Sequence, residues 1–189
     1  LATGILPIAL GEATKTVSFM QDAAKTYEVL VVFGAATATD DREGAVIASS
    51  EARPETGDIE AALAQFTGDI LQTPPQFSAL KKDGKRAYDL ARAGQSVALK
   101  PRPVRIDAIS LLARPDKDHV RLQIECGKGV YIRSLARDLG TFLGGFAHVG
   151  EKTKNCYLLA TSCWFLVAAP LFVESTVAAT RIQSLVTRT

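Results

Sequence analysis

Cysteine is scarce in this 189-residue chain: Cys126, Cys156 and Cys163 are the only three, and none forms a Cys-x-x-Cys pair. So few, and an odd number, exclude a disulfide scaffold. Histidine is scarcer. His119 and His148 are the only two and lie far apart in sequence, so no metal is expected. Net charge is nearly absent, with 22 basic residues against 20 acidic ones. A balance so close to neutral does not by itself point to nucleic acid. Several chemistries lack their motifs. There is no GxxxxGK[ST] phosphate loop, no GxGxxG after a strand, no GxSxG nucleophile elbow and no HExxH. The chain opens on Leu1 without a signal-peptide pattern. What is present is ordinary for a globular protein: 47% apolar and 22% charged residues, which exclude wholesale disorder. The length suits one domain, with or without a short appendage.

The charge is segregated. Residues 1–150 hold 18 basic and 18 acidic side chains, so the net +2 comes from residues 151–189, with four basic and two acidic. Between Lys81 and Arg105, eight basic residues stand against only Asp83 and Asp89, a local +6. Such a stripe attracts polyphosphate whatever the net charge. Taken alone, it reads more simply as a solvated face.

Residues 1–15 read as a buried turn leading into a helix over 16–24. Tyr27–Phe33 is a near-continuous apolar run that suggests a buried strand. Residues 35–44 read as a loop and 45–50 as a returning strand. Helical spacing of Ile59, Ala62, Leu63 and Phe66 predicts a helix over 57–66, with Asp58 suiting its start. Pro74-Pro75 excludes regular structure over 72–76. A short helix over 88–93 ends at Gly94. Val104, Ile106 and Ala108 alternate with Arg105 and Asp107, and Val120, Leu122, Ile124 and Cys126 with Arg121, Gln123 and Glu125, with a Pro115–Asp118 loop between the two strands. After Gly127-Lys128-Gly129, Ile132, Leu135, Leu139 and Leu143 form one helical stripe, with Arg133 and Arg137 off it. Strands and helices without a regular βαβ repeat predict an α+β fold with a mixed, mainly antiparallel sheet flanked by helices. Residues 156–173 carry no charge, which meets the lower bound for a membrane span, but Thr161, Ser162 and Pro170 weaken that reading.

Four ordered segments carry a more specific message. Leu1–Lys15 (LATGILPIALGEATK), Lys25–Val29 (KTYEV), Pro74–Tyr88 (PPQFSALKKDGKRAY) and Gly127–Gly140 (GKGVYIRSLARDLG), followed by Gly145–Val149 (GFAHV), resemble the TruB-type tRNA pseudouridine synthases. The connecting segments are more similar to the bacterial form than to the guide-RNA relatives. The resemblance implies a pseudouridine-synthase-type fold. It also implies isomerisation of uridine to pseudouridine in the tRNA T arm, without cofactor or metal. By resemblance, Tyr27 is the stacking platform for a flipped base, and Tyr131 is a second active-site tyrosine. Arg133 is then the arginine that pairs with the catalytic aspartate. Lys15 and the cluster Lys81, Lys82, Lys85 and Arg86 would meet backbone phosphates. Alone, each tyrosine reads as a packing residue and Arg133 as surface; the ordered set reverses that weighting.

Two departures stand out. The family's aspartate falls two positions before Leu1, and Asp40, Asp41 and Asp138 lie in other motifs. The resemblance also stops near Gly150, where the family's basic strand is expected to be missing. The expectation is therefore a fragment, incomplete at both ends: a partial catalytic domain over 1–150 and a divergent apolar tail over 151–189. A frameshifted or chimeric end is favoured over a membrane anchor. The implied protein is cytoplasmic and monomeric, with tRNA as partner and no membrane. The alternative is a non-catalytic RNA-binding module. The 189-residue polypeptide is expected to show no turnover on a T-arm stem-loop in a pseudouridine assay. Extension upstream through Asp-Pro is expected to restore activity, and turnover without that extension would refute the expectation.

Overall fold

The computed structural model of the chain describes residues 2–4, 6–7, 9–18, 24–82, 85–92, 94, 98–155 and 167–168. In chain order these form β1 (Ala2–Gly4), β2 (Leu6–Pro7), a 3-10 helix (Gly11–Thr16), β3 (Lys25–Phe33), β4 (Ala35–Thr37), β5 (Val46–Ser49) and α1 (Thr56–Leu63). There follow β6 (Gly68–Gln72), β7 (Lys81–Lys82), β8 (Lys85–Arg86), α2 (Ala87–Arg92), β9 (Arg102–Ala113), β10 (His119–Cys126), α3 (Ile132–Phe142), β11 (Ala147–Asn155) and β12 (Val167–Ala168). The main sheet has six strands in the order β1-β11-β3-β10-β9-β6. All its pairs are antiparallel except β1 on β11. This is the α+β class that the sequence predicts.

One face of the sheet makes the core. Val29, Val31 and Phe33 of β3, Val120, Leu122, Ile124 and Cys126 of β10, Ile106 of β9 and Val149 of β11 are all buried. They pack with Ile59, Ala62 and Leu63 of α1 and with Ile132, Leu135, Ala136 and Leu139 of α3. The period-2 pattern of β10 and the helical stripe of α3 thus bury the residues they promise. Burial pushes the Cys126 thiol up to about 11, so it stays protonated and acts as a small apolar filler.

Several elements differ from expectation. Residues 2–4 and 6–7 are short strands rather than a turn, because β1 is drawn onto β11 and β2 onto β12. The helix expected over 16–24 is seen only at Thr16–Ser18, the last residue of the 3-10 helix and the helical Val17–Ser18 after it; residues 19–23 lie outside the described residues. The run in β3 is fully buried only on alternate residues, since helices cover one face of the sheet. Strand β6 went unread because its apolar pattern is inverted: Leu71 points out, 74% exposed, and Gln72 points in, 1% exposed. β9 extends well beyond 104–108, from its pairing with β6 at one end to β10 at the other. A strand continues past Gly150. β11 runs through to Asn155 and carries Lys152 and Lys154, so Glu151–Asn155 belong to the sheet rather than to the tail. The uncharged run over 156–173 lies outside the described residues apart from Val167–Ala168. Among the described residues no helix is long and apolar enough to cross a membrane.

Helix α3 lies close on the start of β11, and Gly140 permits it. A Cβ there would sit 2.4 Å from the Ala147 backbone nitrogen and 2.8 Å from the Phe146 carbonyl carbon. Intrinsic helix propensity favours Gly→Ala by about 1 kcal/mol. Here backbone stands in the way and cannot swing aside, so the clash decides the sign. Gly140→Ala is expected to lower the melting temperature by several degrees, read by circular dichroism; a rise would show that the contact relaxes freely.

Candidate active site

The site is assembled by the start of α3. Gly129, at φ +86°, turns the chain out of β10, and Tyr131 stands extended as the helix N-cap. The apolar stripe of α3 points to the sheet, which leaves Arg133 and Arg137, one turn apart, along its flank. Arg133 Nη1 donates to Asp41 Oδ2 at 3.1 Å and to the Thr39 carbonyl at 3.1 Å; Nη2 donates to the Phe77 carbonyl at 2.8 Å. Asp41 is buried. Its carboxylate also accepts from the Thr39 hydroxyl and the Glu43 N–H. Thr37 Oγ1 donates to the Asp41 carbonyl at 2.6 Å. β11 anchors this turn: Arg42 N–H donates to the Val149 carbonyl, and Val149 N–H to the Asp40 carbonyl.

A second segment closes on the same helix. Pro74 and Pro75 are buried, so the irregular backbone around them needs donors from elsewhere. The Thr73 carbonyl accepts from Ser134 Oγ at 2.8 Å and Arg137 Nη2 at 2.9 Å. Tyr131 N–H donates to Gln72 Oε1 at 2.8 Å. Tyr88 N–H and Ala87 N–H hold the carbonyls of Ser78 and Leu80. The start of α3 therefore holds residues 39–41 on one side and 72–77 on the other, while α2 holds Ser78 and Leu80.

The residues singled out from sequence divide into two groups. Tyr131 and Arg133 lie together at the start of α3. Tyr27 is half-buried on β3, aligned with Val29 and Val31 on the face that α3 covers, and packs against the core. Its strand neighbours in register are Ile124 and Lys154. Lys15 is not brought to the site: it lies exposed on the 3-10 helix, paired with Glu12 at 2.6 Å. Lys81, Lys82, Lys85 and Arg86 build a small hairpin, β7 with β8, and their side chains lie outside the described ones.

Sequence reasoning missed four participants. Arg133, expected beside an aspartate upstream of Leu1, takes Asp41 as its described partner. Asp40, Gln72 and Lys152 also surround the site. The Thr37–Gly44 run of Thr and Asp before Gly is itself a signal for a tight, side-chain-bonded turn, which the loop expected over 35–44 leaves unspecified. The Asp40 carboxyl is pushed up by burial, against the pull of Arg137 and Arg133. The Lys152 ammonium is pushed down by burial and by the nearby Arg133, with Asp41 opposing. No group of three or more His, Cys, Asp or Glu among the described residues is placed to hold a metal ion.

With this geometry in view, comparison with known proteins gives a consistent result. The chain belongs to the TruB family of pseudouridylate synthases: the model of that family's N-terminal domain matches residues 1–132. The tRNA pseudouridine synthase B of Dinoroseobacter shibae is 60% identical over 154 residues, covering 82% of this chain and 51% of that protein. The same-named protein of Agrobacterium fabrum is 54% identical over 155 residues, covering 82% and 49%. The chain thus spans about half the length of the curated relatives it matches. Among solved structures, a Cbf5-Nop10-Gar1 complex aligns with TM-score 0.58 at 25% identity, over 81% of this chain and 36% of that one. An H/ACA ribonucleoprotein bound to a substrate RNA containing 2'-deoxyuridine aligns with TM-score 0.54 at 22% identity, over 81% and 34%.

Removing one partner of a buried ion pair strands the other charge. Asp41→Ala is therefore expected to destabilise the fold by about 3 kcal/mol, measured by urea unfolding. Arg42→Ala, at an exposed pair with Glu151, is expected to change stability by less than about 1 kcal/mol. Equal effects would show that Asp41 is not the constraint that the geometry implies.

Proposed function

We propose that this chain is the catalytic part of an enzyme that isomerises uridine to pseudouridine in the T arm of tRNA. The observation that carries the reading is the Arg133–Asp41 pair at the start of α3, next to Tyr131 and on the helix-covered side of the sheet that carries Tyr27. In the reaction the glycosidic C–N bond breaks, the uracil rotates, and a C–C bond forms, with no net gain or loss of atoms. Such a site needs an aromatic surface for the flipped base and an oriented charge beside the sugar. Tyr27 is the candidate for the first. Its ring is backed by the core, so its position is set before RNA arrives, and base stacking on it offsets the unstacking. Arg133 is the candidate for orienting the charge. Three hydrogen bonds hold its guanidinium, so little conformational entropy is lost when a carboxylate or substrate oxygen approaches. By the family resemblance that carboxylate is an aspartate lying two positions before Leu1. β1 lies parallel on β11 with Ala2 opposite Lys152 and Gly4 opposite Lys154, so its N-terminal end is the one nearer Val149 and the Asp41 turn. This supports entry of the aspartate from that side.

The test is binding of a T-arm stem-loop RNA, followed by fluorescence anisotropy. A stacked base contributes roughly 1–3 kcal/mol, so Tyr27→Ala is expected to weaken binding about tenfold or more. Tyr27→Phe, which keeps the ring, is expected to bind within about twofold of the parent. Equal affinity for the alanine variant would remove Tyr27 from the site. RNA binding that persists in an upstream-extended chain with no turnover would favour the non-catalytic RNA-binding alternative.

A further inference from the structure

Arg137 repeats, one turn further along α3, what Arg133 does. Its Nη1 donates to Asp40 Oδ2 at 3.1 Å, its Nη2 to the Thr73 carbonyl at 2.9 Å, and its Nε to Asp138 Oδ1 at 2.9 Å. The two arginines thus grip the same two segments at matching points. Arg133 takes Asp41 and the Phe77 carbonyl; Arg137 takes Asp40 and the Thr73 carbonyl.

We propose that Arg137 and Asp40 are a positioning pair, which orients the 37–44 turn and the 72–78 segment so that Asp41 meets the Arg133 guanidinium. Neither residue was singled out by the family resemblance. The catalytic consequence rests on the function proposed above; the structural consequence does not.

Three observations support the pair. First, a segment tied to a helix at one point can pivot, whereas two points fix its orientation, and each segment here has two. Second, Asp40 is the only described non-glycine residue at positive φ, +58°. That conformation is uncommon outside glycine and more accessible to Asp and Asn than to most side chains. It turns two adjacent carboxylates toward two different arginines on one helix. The Asp40 amide donates to the Thr37 carbonyl and its own carbonyl accepts from Val149, so partners on both sides hold the strained residue. Third, Asp40 is mostly buried: its side chain is 15% exposed. Burial drives its carboxyl toward the neutral form, and Arg137 is the largest opposing influence. Without Arg137 the carboxylate would lose the partner that keeps it charged and in place.

The experiment has two arms. In the 189-residue chain, nitrogen-15 NMR follows the Arg133 guanidinium, whose Nη groups exchange slowly when held by Asp41, Thr39 and Phe77. Arg137→Gln and Asp40→Asn are each expected to broaden those signals or speed their exchange several-fold, and Asp40→Asn keeps the backbone preference for positive φ. In the chain extended upstream through Asp-Pro, the same variants are expected to lower kcat on a T-arm stem-loop about tenfold. KM should stay within about twofold, because neither residue is assigned to RNA contact. Arg137→Lys, which keeps charge but lacks the planar fork that spans Asp40 and the Thr73 carbonyl, is expected to resemble Arg137→Gln. Unchanged Arg133 signals in both variants would overturn the proposal. A kcat loss matched by an equal rise in KM would also overturn it. If the extended parent shows no turnover, the functional reading fails, and the guanidinium signals still decide the positioning role.

Discussion

Arg133 must be neutralised where α3 meets the sheet, and most of the local architecture follows from that requirement. Its guanidinium lies mostly out of water, so the cost of desolvation has to be met by a carboxylate and by carbonyls of fixed position. Asp41 supplies the carboxylate because a tight turn buries it, and that turn is closed by its own bonds and anchored on β11 by Val149, which hydrogen-bonds both sides of it. The Phe77 carbonyl is available only because Pro74-Pro75 keeps that segment out of any strand or helix. A helix, a strand and two loops are thereby coupled through one side chain. A fold that places uncompensated charge at such a junction would be destabilised; here the arginine's three bonds reach two segments, the turn through Asp41 and Thr39 and the 72–78 segment through Phe77.

The regular parts were legible because they obey simple periods. β10 buries every second residue and α3 buries one stripe, and both could be read directly. The less legible parts are those where burial and polarity are exchanged. Gln72 points inward and Leu71 outward, so β6 carries no apolar pattern to find. Asp40 and Asp41 look like solvated loop residues until the two arginines of α3 are brought beside them. That juxtaposition joins residues separated by more than ninety positions, and no local pattern encodes it. Tyr27, Tyr131 and Arg133 were found by motif resemblance rather than by periodicity, and the motif said nothing of Asp41 as the arginine's partner. The end of the sheet was misjudged for a related reason. Glu151–Asn155 is polar and charged, yet forms strand because β3 and β1 flank it on both sides.

The electrostatics around the site follow one theme. Asp40, Asp138 and Lys152 are all displaced toward their neutral forms, with burial the first cause in each. Arg137 opposes that shift for both acids, joined by Arg133 at Asp40, and Arg133 reinforces it for the lysine. The two guanidiniums therefore act as fixed charges that set the balance at these three groups.

β11 has a consequence for how the molecule comes into being. It is the strand that joins β1, β3 and the Asp41 turn, and the Thr3–Thr153 hydroxyl contact closes a loop of 150 residues. Contacts of such long sequence separation form slowly, because closure entropy is lost before the contacts repay it. During synthesis from the N-terminus, β3, β9, β10 and α3 can associate while β11 is still within the ribosome. The turn that carries Asp41 would then lack its backbone anchor. The site is thus the last part of the domain to mature, and until β11 emerges the exposed edge of β3 is the point at which a nascent chain is open to mispairing.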